Sequence, residues 1–78
     1  MLLVLIISLN IAFAQEGKQL YLEAIKAYQS QDLPKSQELL EKVIQQNPKN
    51  PPALYNLGLI YYQTGLRGRA VAAWRKAL

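Results

Sequence analysis

A displacement of thirty-four residues lays this chain back onto itself. Leu20 falls on Leu54, Tyr21 on Tyr55, Tyr28 on Tyr62, Gln29 on Gln63 and Lys42 on Lys76. Size and polarity recur where identity does not: Ala24 meets Gly58, Ile25 meets Leu59, Ser36 meets Ala70, Leu40 meets Trp74 and Val43 meets Ala77. Self-similarity at such a period restricts a chain to stacked supersecondary units, each of which leaves an apolar face for its neighbour to cover.

Within each period the apolar residues fall at helical spacing, and no stretch alternates as a strand does. The blocks are separated by Gln31-Asp32-Leu33-Pro34, Asn47-Pro48-Lys49-Asn50-Pro51-Pro52 and Thr64-Gly65-Leu66. Pro34 and Pro51 suit the first turn of a helix, where the missing N–H has no partner to lose, and Asp32 and Asn50 stand close enough to cap those turns. Gly65 suits the left-handed residue that closes a helix. The expected fold is all-α: four helices over about 17–30, 33–46, 51–64 and 67–78, paired as two helical hairpins with short connections.

The second period carries Leu54-x-x-Leu57-Gly58-x-x-Tyr61 and then Ala70-x-x-x-Trp74-x-x-Ala77. This pattern resembles the tetratricopeptide repeat (TPR), with Leu54 in place of the usual Trp and Trp74 in place of the usual Phe. The first period is a more degenerate copy, with Leu20, Ala24, Ala27, Ser36, Leu40, Val43 and Pro48 in the corresponding slots. Glu23 stands where a Leu is expected, and Tyr28 comes one place late. The division that follows is a first TPR over 15–50 and a second over 51–78. Small residues at Ala24, Gly58 and Ala70 let two helices approach closely, while Leu54, Leu57, Tyr61 and Trp74 fill the space around them.

In TPR proteins the first helix of each pair lines a groove that accepts a peptide or a partner helix. The resemblance places Tyr21, Ile25, Tyr28 and Gln29 in that groove from the first repeat, and Tyr55, Asn56, Leu59, Tyr62 and Gln63 from the second. The i, i+4, i+7 spacing of Tyr21, Ile25 and Tyr28 puts them on one helical face, and Tyr55, Leu59 and Tyr62 repeat it. Tyrosines there offer flat apolar area with a hydroxyl, which suits anchoring. Tyrosines in these slots also pack between stacked repeats, so the stripe has a structural reading beside the binding one. The Lys and Asn that grip a C-terminal carboxylate in some TPR domains are absent apart from Asn56.

Met1–Ala14 differs in kind from the rest. It has no charged side chain, an apolar run from Leu2 to Leu9, and then Ala12-Phe13-Ala14 ahead of the polar Gln15-Glu16. That order matches a secretory signal peptide cleaved after Ala14, although no basic residue precedes the apolar run. The run is shorter than the roughly 20 apolar residues of a spanning helix. An uncleaved anchor and a buried core helix are the alternatives. A leader followed directly by such repeats, with Gly65-Leu66-Arg67-Gly68-Arg69-Ala70 and Trp74-Arg75-Lys76-Ala77, resembles exported TPR proteins of the bacterial aerotolerance (Bat) type. The expected setting is therefore periplasmic or secreted.

Composition narrows the chemistry. The chain has no Cys and no His, which removes disulfides, thiolate metal sites and the common nucleophile–base pairs. No glycine-rich phosphate loop is present, and Glu23, Asp32, Glu38 and Glu41 fall at surface-type helix positions, where Glu38 and Glu41 can pair with Lys35 and Lys42. No enzymatic activity, cofactor or metal is expected. The formal charge of +4 is concentrated in Arg67, Arg69, Arg75 and Lys76, within a segment that has no acidic residue. A basic surface binding an anionic membrane or nucleic acid is the alternative function. An ordinary solvated helix face, favoured near a helix C-terminus by the dipole, accounts for the same residues. The second repeat reads as truncated before its end. That leaves Val71, Trp74 and Leu78 as an apolar patch open to a partner protein or to self-association.

Overall fold

A computed structural model describes residues 2–78, with side chains described from Glu16 onward; the expected leader, Met1–Ala14, lies outside the described side chains. The elements are α1 (Leu2–Gln29), α2 (Leu33–Gln46), α3 (Pro51–Gln63) and α4 (Arg67–Ala77). There is no strand among the described residues. The last three helices begin and end within a residue of the expected blocks. The first ends as expected but starts earlier, since no proline interrupts the sequence before Gln29.

Local chemistry sets each boundary. The Asp32 carboxylate accepts the Lys35 N–H at 3.3 Å, and Asn50 Oδ1 accepts that of Ala53 at 3.2 Å, with proline in the first turn of both helices. Each hairpin turns in the same way. The N–H of Asp32 reaches the Ala27 carbonyl at 2.9 Å and that of Gln31 reaches Tyr28. One period later Leu66 reaches Tyr61 at 2.7 Å and Gly65 reaches Tyr62. This is the double-bonded helix ending that requires a left-handed residue just past the helix. Gly65 supplies it with φ 85°, and Gln31 supplies it with φ 62°. A non-glycine residue at that second position is a feature the sequence reading did not single out.

Consecutive helices pack against one another, α1 on α2, α2 on α3 and α3 on α4. One core cluster joins Ala24, Leu39, Leu40 and Val43 of the first hairpin to Ala53, Leu57 and Ile60 of α3, with Leu20, Tyr21, Tyr28, Leu33, Ile44 and Tyr61 packed around it. The second hairpin closes at Gly58. A Cβ there would lie 2.7 Å from Trp74 Cε2 and closer still to the neighbouring indole atoms. Because nothing stands in its way, the indole N–H reaches past Gly58 and donates to the Tyr55 carbonyl at 3.2 Å. In the first hairpin Ser36, fully buried, spans the equivalent gap and donates its hydroxyl to the Ala24 carbonyl at 2.8 Å.

Two substitutions test these constraints. Gly58→Ala displaces the indole and is expected to lower unfolding stability by about 1–3 kcal/mol through overpacking. Chemical denaturation measures that loss, and the emission of the single tryptophan moves to the red as the ring leaves its site. Gln31→Gly relieves a left-handed side-chain residue and is expected to raise stability by about 0.5–1 kcal/mol. An unchanged denaturation midpoint would contradict it.

Candidate functional site

The candidate site is the face shared by α1 and α3, and two hydrogen bonds hold those helices side by side. Asn56 Nδ2 donates to the Tyr21 hydroxyl at 3.1 Å, and Gln63 Nε2 donates to the Tyr28 hydroxyl at 2.8 Å. Both bonds span thirty-five residues, one more than the repeat, so each tyrosine of the first hairpin is held by the residue just after its counterpart in the second. Asn56 is fixed further by donating to the Pro52 carbonyl at 2.9 Å. Ile25 and Leu59, half-buried, lie between the two bonds in sequence.

The tyrosine stripe therefore divides. Tyr21 and Tyr28 are half-buried against the core and give their hydroxyls to the neighbouring repeat. Tyr55 and Tyr62 remain 55% and 53% exposed. The Tyr62 ring lies 6.1 Å from that of Trp74 at a 34° tilt, and the Arg67 guanidinium sits 5.4 Å over it. This cation–π contact holds one of the four basic residues against the aromatic edge. Arg67, Arg69, Arg75 and Lys76 are all exposed.

The slots of the repeat pattern are occupied as follows. Ala24, Leu40, Leu54, Leu57, Gly58 and Ala70 are buried, while Leu20, Tyr61, Trp74 and Ala77 are half-buried. A family model described as TPR repeat matches residues 26–65, just over half of the chain. The chain belongs to the TPR repeat family. TPR repeats generally act as non-catalytic scaffolds for protein–protein interaction. No curated protein matches this TPR chain.

Behind the shared face, a polar contact ties the two TPR hairpins together. The Tyr61 hydroxyl donates to Glu41 Oε1 at 3.1 Å, and Gln37 Nε2 donates to the same oxygen at 2.9 Å. Glu41 is half-buried here and joins the repeats, whereas the sequence placed it among surface carboxylates with a lysine partner. Glu38 does pair with Lys42, at 3.5 Å, one turn along an exposed face. Such exposed pairs contribute little to stability. The sequence signal for Glu41 was available in principle. It lies one turn before Gln45 on the side of α2 that carries Ile44, and so faces the next helix.

Burial, and next the negative charge and hydrogen bond of Glu41, hold the Tyr61 phenol above its ordinary value of 10.0, with Arg69 opposing weakly. A phenol raised in the folded state contributes stability that is fully present below the unfolded value and is lost as pH rises through the folded one. Stability should therefore decline in the alkaline range above pH 10.0, and Tyr61→Phe should remove that component. At neutral pH the same substitution is expected to cost about 1 kcal/mol for the lost hydrogen bond. Denaturation midpoints across the alkaline range, wild type against Tyr61→Phe, measure both.

Proposed function

We propose that this TPR chain is an exported scaffold that binds a peptide or a partner helix along the α1–α3 face. One observation carries the reading: the Asn56–Tyr21 and Gln63–Tyr28 bonds lock two helices into one face on which Ile25 and Leu59 are only half-buried. A prearranged apolar strip bordered by fixed polar groups requires little reordering on binding, which favours affinity. The exposed rings of Tyr55 and Tyr62 extend that strip at its edge. The groups that would contact a ligand are Ile25 and Leu59 through apolar surface, Tyr55 and Tyr62 through their rings, and Gln29 through its exposed amide.

Export rests on Met1–Ala14, whose apolar run and Ala12-Phe13-Ala14 end match a cleavable leader. The Bat-type resemblance of Gly65–Ala70 and Trp74–Ala77 belongs to the same proposal, and it points to a periplasmic or secreted scaffold. Among the described residues no helix is long and apolar enough to cross a membrane. N-terminal sequencing of the protein recovered from its cells should begin at Gln15. Recovery of an intact Met1 in the cytosol would reject export.

The alternative, a basic surface for anionic lipid or nucleic acid, is favoured by the acid-free run that carries Arg67, Arg69, Arg75 and Lys76. Two paired variants separate the readings by pull-down from the organism's own extract. Ile25→Lys/Leu59→Lys should abolish capture of protein partners, while Arg67→Ala/Arg69→Ala leaves it intact at moderate salt. Loss confined to the arginine variant, and abolished by salt in the wild type, would favour the basic surface. Circular dichroism of each variant confirms that it remains helical.

A further inference from the structure

Each of the two bonds that join α1 to α3 leaves hydrogen-bonding capacity unused. The Tyr21 and Tyr28 hydroxyls accept from Asn56 and Gln63, so each phenol keeps its own hydrogen, and neither donates to another group among the described residues. Asn56 Nδ2 gives its two hydrogens to the Tyr21 oxygen and the Pro52 carbonyl. A carbonyl can only accept, so the second bond fixes which end of the amide is oxygen. Asn56 Oδ1 and Gln63 Oε1 then receive no donor among the described residues. The face thus carries two pairs, each of one donor and one acceptor, with the half-buried Ile25 and Leu59 between them.

The spacing of the pairs selects a backbone. Tyr21 and Tyr28 stand seven residues apart on one helix, a rise of about 10 Å. A polyproline-II segment repeats its facing every three residues, about 9 Å, and its peptide groups make no internal hydrogen bonds. A β-strand repeats every two residues, about 7 Å, and misses the second pair. A partner helix has already bonded its peptide groups to one another, so it has none to offer either pair.

We propose that the α1–α3 face reads the backbone of an extended, polyproline-II-type segment of a partner protein; this rests on the reading of that face as the binding groove and decides between its two occupants. At each pair the phenol O–H donates to a carbonyl of the segment, and the amide oxygen accepts a peptide N–H. An apolar side chain from the intervening residues covers Ile25 and Leu59. Charge narrows the segment further. None of Tyr21, Ile25, Tyr28, Asn56, Leu59 and Gln63 is an acidic or basic residue, so a charge seated on the strip would lose water without gaining a partner. Beside Tyr21 the strip opens into a cavity of about 740 Å³ bordered by Gly17, Lys18, Gln46, Asn50 and Pro52, and Lys18 is the one charged residue among those described there. Lys18 is exposed and makes no ion pair among the described residues. The segment is therefore uncharged where it lies on the strip and acidic where it leaves at Lys18.

The test titrates the full chain, by calorimetry, with a capped synthetic peptide of Leu-Pro-Ala triplets carrying a glutamate at each end to serve either chain direction. The rival is a capped helical peptide with glutamines seven residues apart and leucines between them, which offers side-chain amides to the same two pairs. The extended peptide should bind saturably, and its version N-methylated at every leucine and alanine about tenfold more weakly, because its N–H donors are gone. Tyr21→Phe/Tyr28→Phe should weaken the extended peptide by a similar factor. Lys18→Glu should weaken it about threefold, and lysine in place of the terminal glutamates should recover that loss. No saturable binding, equal binding of the N-methylated peptide, or tighter binding of the helical rival overturns the proposal. Dimerisation in sedimentation that the extended peptide does not reverse overturns it in favour of a second copy. Helical binding that is lost in Ile25→Lys/Leu59→Lys would leave the groove reading standing without this one, whereas extended binding that survives the double variant would sink both.

Discussion

At Gly58 the space a side chain would occupy is filled by the Trp74 indole, and much of the second hairpin depends on that exchange. The ring can occupy this place only where no Cβ stands in its way, and the part of its N–H withdrawn from water needs an acceptor. The absent Cβ meets both requirements, since it opens the way to the Tyr55 carbonyl. The approach also fixes where α4 lies on α3, and with it the location of Arg67, whose guanidinium rests over Tyr62. The first hairpin meets the same demand with different parts, an Ala24 with no side chain beyond Cβ and a Ser36 hydroxyl bonded to its carbonyl. Two chemistries thus meet one demand, a close approach of paired helices, which allows a repeat to be copied without its sequence being copied.

Translation of one hairpin into the next depends on the turn as much as on the core. The paired bonds from Asp32 and Gln31, and from Leu66 and Gly65, end α1 and α3 identically. The reversed chain then starts its second helix at the same phase. That phase sets Tyr21 and Tyr28 opposite Asn56 and Gln63, and it sets Glu41 opposite Tyr61. The contacts between repeats are therefore mainly apolar with a few polar pairs at the margin. The margins carry the register: a slip of α3 by one residue would break three hydrogen bonds at once.

Much of this was legible in the sequence. Pro34, Asn50 and Pro51 declare helix starts because their backbone requirements are local, and the 34-residue period declares stacking because it needs no knowledge of which atoms touch. Gln31 was hidden because left-handed geometry is forced on it by the turn, and its side chain gives no sign of this. Glu41 was misplaced because a carboxylate on a helix reads as solvated, although its place one turn before Ile44 sets it on the side of α2 that meets α3. The division of the tyrosines was also out of reach, since Tyr21 and Tyr55 are the same residue in the same slot. They differ only in whether another helix covers them.

That difference also explains why the first repeat departs from the family pattern where it does. Glu23 and Lys26 stand where α3 has Leu57 and Ile60, and in α3 those residues are buried at 4% and 0% exposure against the preceding hairpin. In α1 the same positions are exposed. An apolar pair there would leave an adhesive face exposed, which the charged pair avoids. The opposite side shows the reverse substitution: Glu41, an acceptor used internally, becomes Arg75, a cation facing outward. Degeneracy in such a repeat is thus informative, because the positions that lose the consensus are those whose neighbour has changed.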